Sequence, residues 1–280
     1  MTIYNIQDYR IGSPVNRAFS TTLLSSSAAS FSPLDLGASL YAWWDADTVS
    51  NGVVSTWADR KGVATLAQTE SVRQPTKLDL IFTNSVGSFY PSVYFDSGDQ
   101  LTTPDLGTIL DPLSNVCVVV SAQDSAIAAS IVMEYGPNGA AGAGRFWLVA
   151  NETGQPGESV EWQTRNVGNG TFNTLTGTAP LSRSTVITGY HDFSASSGQT
   201  LRRVNGYDVT GSIIANACAV GTFGNETLNI GCRALNFVAP WAGGRIRDLV
   251  FFSGTLEQIK QVETFVGNRV GVSVSGAVSL

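Results

Sequence analysis

Two blocks at opposite ends of this chain constrain its fold more than anything between them. They are LYAWWDADTVSNGVVSTWADRKG at residues 40–62 and APWAGGRIRDLVFFSGTLEQIKQVETFVGNRVGV at residues 239–272. The second block contains the one convincing helix. Leu256, Ile259, Val262, Phe265 and Val266 recur at spacings of three and four and so share one face. Thr255 and Gln258 form a capping-box pair, which answers orphan N–H groups at the start, and Gly271 supplies a stop. The spacing predicts a helix over 256–266, running as far as 270. Everything between the two blocks reads as short strands. A long β stretch followed by a single terminal helix predicts a two-sheet sandwich closed by its own ends.

Strand signals are regular from residue 38. LYAWW (40–44) and VVSTW (53–57) flank an Asp/Asn/Gly-rich turn. SVYFDS (92–97) and QLTT (100–103) flank Gly98-Asp99, a candidate two-residue hairpin turn. NVCVVVSA (115–122) is almost continuously apolar, as a central strand covered on both faces should be. SIVMEYG (130–136), RFWLVAN (145–151), SVEWQTR (159–165) and STVITGYHDF (184–193) follow. TLRRVNGYDVTG (200–211), TLNIGCR (227–233) and GGRIRDLVFF (243–252) complete the series. Asn205-Gly206 is the strongest hairpin signal, because a type I′ turn needs positive φ at both central residues. Adjacent Trp43 and Trp44 must point to opposite faces of their strand, one of them into the inter-sheet core; the sequence leaves open which.

Composition agrees with this class and removes others. The 280 residues are 43% hydrophobic and 14% charged, with 29 glycines, which supplies a large core and many tight turns. Disorder needs the reverse balance. The net charge of −6 comes without any Lys/Arg cluster, so no nucleic-acid partner is expected. No apolar run reaches the roughly 18–20 residues that span a bilayer, so membrane insertion is not expected. The opening MTIYNIQDYR lacks a basic n-region followed by an apolar h-region, which implies a protein made in a cytoplasm. Cys117, Cys218 and Cys232 are too few and too odd in number for a disulfide framework. They read as small buried hydrophobes, with a Cys218–Cys232 bridge as the alternative. Residues 1–37 read as an extended N-terminal arm in which Ile3, Tyr4, Ile6, Tyr9, Ile11 and Phe19 can dock on a neighbour. A disordered leader is the alternative. Residues 38–272 form the sandwich domain and 273–280 a C-terminal tail.

In their order along the chain, five pieces resemble the concanavalin A-like lectin/glucanase (laminin-G-like) domain, especially the version common in bacteriophage virion proteins. The pieces are the opening LYAWWDADTV…VSTWADRKG, then PSVYFDSGDQLTT, RRVNGYDV and LNIGCR, and the closing WAGGRIRDLVFFSGTLEQIKQVETFVGNRVGV. The resemblance spans residues 38–272. It implies an all-β fold, a two-sheet antiparallel jelly-roll sandwich with one short C-terminal helix. In that family the first and last strands pair and the closing helix packs against the sandwich edge. The resemblance also implies a virion structural protein: a head decoration, head fibre or tail-associated subunit. Such a subunit would be a homo-oligomer held to other virion proteins through residues 1–37. A carbohydrate-binding module that recognises a host surface glycan is the alternative, and the two are compatible.

Catalysis is not expected. Glucanases of this superfamily carry Glu-x-Asp-x-x-Glu or Glu-x-Asp-x-Glu on one strand, with the carboxylates on one face as nucleophile and acid/base. This chain has neither pattern, and Glu134, Glu152, Glu158, Glu161 and Glu226 are scattered. His191 is the single histidine, which excludes a multi-histidine metal site, and no Gly-x-Ser-x-Gly elbow accompanies it. No cofactor is expected, with calcium as the one exception. Residues 45–52 open like an oxygen-ligand loop, though Val49 and the missing closing Glu depart from the EF-hand pattern. Lectin-like domains often bind calcium at loop carboxylates, so the resemblance makes Asp45, Asp47, Asp59, Asp96 and Asp99 candidate ligands, with turn formation as the competing role. A sugar needs aromatic rings for its apolar faces and polar side chains for its hydroxyls. Trp147, Trp162, Arg165, Tyr190 and His191 sit on mid-chain strands and are the candidate carbohydrate-binding residues; core packing is the competing role.

Overall fold

A computed structural model of the chain describes residues 31–83, 89–123, 130–136, 144–150, 159–165, 167, 173–179, 181–194, 199–208, 213–215, 220–233 and 240–274. Residues 1–30, which make up most of the expected arm, lie outside the described residues, as do Cys218, Glu152, Glu158 and residues 275–280.

Strands follow in chain order as β1 (Leu40–Asp45), β2 (Gly52–Val53), β3 (Thr56–Ala58), β4 (Thr65–Ala67), β5 (Thr76–Thr83), β6 (Phe89–Phe95) and β7 (Leu101–Thr103). A short helix α1 (Asp105–Leu110) precedes β8 (Asn115–Gln123), β9 (Ser130–Tyr135), β10 (Arg145–Ala150), β11 (Ser159–Arg165) and β12 (Asn173–Thr178). Then come β13 (Thr185–Asp192), β14 (Gln199–Val204), β15 (Tyr207–Asp208), β16 (Ile213–Ala215), β17 (Leu228–Ile230), β18 (Gly244–Phe252) and the closing helix α2 (Leu256–Arg269). They build two nine-stranded antiparallel sheets packed face to face. The first sheet has the order β15-β14-β13-β8-β18-β6-β5-β2, with β1 added along β18. The second has the order β16-β12-β11-β10-β9-β17-β7-β4-β3.

The first and last strands pair. Trp44 of β1 lies opposite Leu249 of β18, and Asp45 opposite Asp248. Strand alternation then sorts the side chains. Trp44, Leu249 and Phe251 enter the inter-sheet core, whereas Trp43, Val250 and Phe252 face outward beneath α2. Trp44 is therefore the inner tryptophan, edge-on to Phe251 at 5.7 Å. Trp43 packs against Phe265 of the helix at 5.4 Å. The same sorting explains the apolar run of β8: Val116, Val118, Val120 and Ala122 face the core, while Cys117 and Val119 face the helix.

Helix α2 begins at the expected cap, with Gln258 N donating to Thr255 Oγ1 at 3.3 Å and Thr255 N donating to Gln258 Oε1 at 2.8 Å. It does not sit at the sandwich edge. It lies against β8 and β13, because the outer face of the first sheet is apolar and takes up Ile259, Val262 and Val266. Phe31 and the 3-10 helix Pro33–Ser39 add to this cluster, with Leu36 buried and Phe31 at 6.5 Å from Phe265. Among the described residues, no helix is long and apolar enough to cross a membrane.

Two turn signals resolve differently. Asn205 and Gly206 take φ values of 52° and 81°, and β14 and β15 pair across them as a hairpin. Gly98-Asp99 lies in a turn closed by Asp99 N donating to Asp96 O at 2.9 Å, but it makes no hairpin. β6 belongs to the first sheet and β7 to the second, so this turn carries the chain across the sandwich. The run VVSTW is likewise divided, β2 joining one sheet and β3 the other. A turn dipeptide specifies local backbone only, whereas strand partners follow from burial: Leu101 finds Ile230 of β17, and both are core residues. Cys117 and Cys232 are buried free thiols, and the alternative bridge partner Cys218 lies outside the described residues.

A buried ion pair joins the helix to the first sheet. Glu263 Oε1 accepts from Arg203 Nε at 2.8 Å and from Thr188 Oγ1 at 2.7 Å, and Arg203 also donates to Gly206 O. Glu263 and Arg203 are both 0% exposed. Glu263→Ala would leave a buried guanidinium without its carboxylate and should cost about 3–5 kcal/mol in denaturant unfolding. The double variant Arg203→Met with Glu263→Leu should recover most of that loss, since an apolar pair of similar volume needs no charge partner.

Candidate functional site

The outer face of the second sheet has a chemistry unlike that of the first. Register draws a row across four strands: Asn229 of β17 lies opposite Glu134 of β9, Glu134 opposite Trp147 of β10, and Trp147 opposite Gln163 of β11. Arg145 lies opposite Arg165 on the same pair of strands as Trp147 and Gln163. Their chain neighbours Tyr135, Phe146, Leu148 and Trp162 belong to the inter-sheet core, so alternation puts the polar set on the outer face. Gln100, which precedes β7, extends the row by donating from Nε2 to Asn229 Oδ1 at 3.1 Å.

Trp147 is the centre of this face. Its Nε1 donates to Glu161 Oε1 at 2.8 Å, and Gln163 Nε2 donates to the same oxygen at 3.4 Å. The guanidinium carbons of Arg145 and Arg233 lie over the indole at 4.3 and 4.7 Å from the ring centroid. Glu134 Oε1 is 3.8 Å from Arg145 Nη1 and 3.8 Å from Arg233 Nε. Ile131 and Val149 flank the ring as a small apolar cluster. Burial pushes the Arg145 guanidinium down to about 10; Glu134 opposes that shift, and Arg165 and Arg233 reinforce it. Arg165 and Gln163 are half-buried, and the Arg233 side chain is 23% exposed, so these three groups reach solvent.

The sequence-predicted sugar residues do not all meet here. Trp147 and Arg165 lie on this face. Trp162 is in the inter-sheet core, where a Cβ at Gly189 would come within 2.4 Å of its ring, so glycine is needed opposite it. His191 faces the core too. Its Nδ1 lies 3.0 Å from Thr164 Oγ1 and 2.6 Å from Thr200 Oγ1, and burial pushes its pKa down to about 3, so the ring is neutral. Tyr190 belongs to the cluster under α2, where burial pushes its hydroxyl up to about 12. The sequence reading missed Glu134, Arg145, Glu161, Gln163, Asn229 and Arg233 as a set. The period-two positions of RFWLVAN and SVEWQTR carried half of that signal. Nothing local links them to Asn229 and Arg233, which arrive from a distant strand.

The five candidate calcium ligands fall into three separate structures: Asp45 with Asp47, Asp59 alone, and Asp96 with Asp99. Asp45 accepts from Arg60 Nη2 and Arg269 Nη2, both at 2.5 Å, and from Asp47 N at 2.9 Å. Asp47 Oδ2 accepts from Arg247 Nη2 at 2.7 Å and Arg269 Nη2 at 2.9 Å. Asp59 caps the backbone N–H groups of Lys61, Gly62, Val63 and Ala64. Asp99 Oδ2 accepts from Asp96 N at 2.7 Å and Asp96 Oδ1 from Ser97 N at 2.6 Å, which closes their own turn. Asp45 and Asp47 do converge, together with Asp248, but on the guanidiniums of Arg60, Arg247 and Arg269 rather than on a cation site. This donor set does not fit calcium, and among the described residues no group of three or more His, Cys, Asp or Glu could hold a metal ion. Asp248 Oδ1 accepts from Trp43 Nε1 at 3.1 Å. Complete burial pushes its carboxyl up to about 6 despite the pull of Arg269, and Asp45 opposite adds to the rise.

No protein-family model matches the sequence, and a search of curated proteins finds no relative. Among solved structures, the fold is similar to part of the Trypanosoma rangeli sialidase in complex with sialic acid, with a TM-score of 0.52 and 11% identity, over 82% of this chain and 33% of that one. It is also similar to the binding domain of botulinum neurotoxin serotype D, with a TM-score of 0.50 and 14% identity, over 82% of this chain and 53% of that one. The serotype D/C VPI 5993 binding domain matches with a TM-score of 0.50 and 10% identity, over 85% and 53% of the two chains. The chain thus spans about a third of the sialidase and about half of the toxin domains it matches. What these structures share with it is the β-sandwich fold.

The raised carboxyl of Asp248 makes stability depend on pH. The folded state binds this proton more tightly than the unfolded chain, whose aspartates titrate at about 3.9. The associated stabilisation is complete below that value and is lost as pH rises through about 6. Taken as the difference from Asp248→Asn, the melting temperature of the wild type should therefore rise as pH is lowered from 7 to 5. A flat difference would show that Asp248 titrates normally.

Proposed function

We propose that this chain is a glycan-recognition β-sandwich that binds its ligand on the outer face of the second sheet, and that a bacteriophage particle displays it. The observation that carries the recognition reading is the row Gln100, Asn229, Glu134, Trp147 and Gln163, with Glu161 beside it. Gln163 and Arg165 of β11 reach solvent on this face, and amide and guanidinium groups suit sugar hydroxyls, whereas Gln100, Asn229, Glu134, Trp147 and Glu161 are buried behind them. Here they stand on strands whose register holds them in place, which is the preorganisation a binding site needs.

The reading is one of binding without hydrolysis. A general acid needs a carboxyl kept protonated by apolar surroundings. Glu161 instead accepts two hydrogen bonds, and Glu134 lies beside two guanidiniums. The virion setting is supported by the order of the sequence blocks that resemble phage proteins. It is supported also by where the chain enters the sandwich. Phe31 and Leu36 are fixed on the outer face of the first sheet, the side away from the recognition row. Attachment through residues 1–37 to other virion proteins or to sister subunits would leave the row turned outward.

A glycan array probed with the full-length protein should give a defined set of positive sugars. Gln163→Ala should weaken binding by about tenfold without lowering the melting temperature, in line with the loss of one or two hydrogen bonds. A blank array would remove the recognition reading. Mass spectrometry should find the protein in purified particles. Deleting residues 1–30 should abolish its incorporation while the sandwich still melts cooperatively; normal incorporation of the truncated chain would remove the arm's role.

A further inference from the structure

We propose that His191 is an acid-sensitive clasp between the two sheets, and that its protonation opens the side of the sandwich where β13 and β14 face β11. The ring stands on β13 of the first sheet and faces inward. Its Nδ1 meets Thr200 Oγ1 of β14 at 2.6 Å and Thr164 Oγ1 of β11 at 3.0 Å, so one nitrogen takes a hydroxyl contact from each sheet. A second tie lies beside it: Arg202, two residues along β14, donates from Nη1 to Val160 O of β11.

This pocket of the core suits a neutral ring and has no place for a charged one. His191 is 0% exposed, and its Nε2 is buried without a hydrogen-bond partner. Phe193 closes on the ring with centroids 4.0 Å apart. An imidazolium carries an N–H on both nitrogens. Here the one on Nε2 would have no acceptor, and Nδ1 could no longer accept from either threonine. Among the described residues, no carboxylate faces the ring from the strands packed against it. β8 presents Val116, β11 presents Thr164 and Trp162, and β14 presents Thr200 and the cation Arg202. Asp192, next in the chain, points outward by strand alternation and accepts from Ser194 N at 2.8 Å. Its pull is outweighed by burial, which holds the ring at about 3. A form opened to water takes up the proton at the ordinary value of about 6.5. The clasp is therefore at full strength above that value, and opening gains about tenfold for each pH unit below it. Thr164 lies between Gln163 and Arg165, which occupy the other face of β11, so the loosening reaches the outer face of the second sheet.

His191 is the single histidine of the chain, so its ring can be followed by NMR in the intact protein without ambiguity. The imidazole shifts should keep their neutral values from about pH 8 to about pH 5; a midpoint near 6.5 would overturn the proposal. Hydrogen exchange, corrected for intrinsic rates, reads the opening itself. Amides of β11, β13 and β14 should open about tenfold more for each unit between about pH 6 and pH 4. Amides of β1 and β18 open together with Asp248, whose titration has the opposite sign, and should change little. An equal change over both sheets, or none, would overturn the proposal. His191→Gln keeps a neutral acceptor and should remove the acid dependence at β11 and β14. Thr164→Val leaves the ring in place and should increase opening of the same amides at about pH 7 and nowhere else. Wild-type protection in that variant would count equally against the clasp, even if His191→Gln did not fold.

Discussion

Strand β18 is hydrogen-bonded along both edges by three strands, and the rest of the sandwich depends on that arrangement. β8 takes one edge over most of its length. The other edge is divided between β6, at Gly244–Ile246, and β1, at Asp248–Phe252. The beginning of the domain is thereby joined to its end, Trp44 pairing with Leu249 some 200 residues on. Glycine is needed where this strand starts, since a Cβ at Gly244 would lie 1.9 Å from the Trp241 ring. Outer-face residues of β1 and β18 then form the floor on which α2 rests, and Arg269 from the last turn of that helix reaches Asp45 at the end of β1.

The two sheets bury their outer faces differently, and that asymmetry produces the site. In the first sheet the outer positions of β1, β8 and β13 and of the second half of β18 are largely apolar and lie beneath the helix, with the Arg203–Glu263 pair inside the contact. In the second sheet the outer positions of β9, β10 and β11 include Glu134, Arg145, Trp147, Glu161, Gln163 and Arg165, beside the apolar Ile131 and Val149. An ion pair buried on the helix side fixes geometry through its hydrogen bonds. On the second sheet Arg145 and Arg233 lie instead over the indole of Trp147. The same residue types therefore do different work according to which face the register assigns them.

The fold was largely legible in the chain. The apolar spacing of Leu256 to Val266, the Thr255–Gln258 cap, the Asn205-Gly206 turn and the double-sided run of β8 are local patterns with local physical causes, and each appears in the structure. The errors arose where a pattern specifies a bend but not a partner. Gly98-Asp99 makes its turn, yet its flanking strands enter different sheets. Trp162 and His191 stand on the expected strands, but on the inward side of them.

The sequence alone determined the all-β class, the positions of most strands, the closing helix and the two tryptophans at the domain's start, because periodicity and turn chemistry act over a few residues. Only the tertiary structure decided that Trp44 is inner and Trp43 outer, that the helix covers a sheet face rather than an edge, and that Asp45 and Asp47 meet arginines rather than a metal. It also decided that Trp147, Arg145, Arg165, Glu134 and Arg233 share one surface. Cross-strand register and sheet packing set those outcomes, and they bring together residues too far apart in the chain for any local pattern to connect.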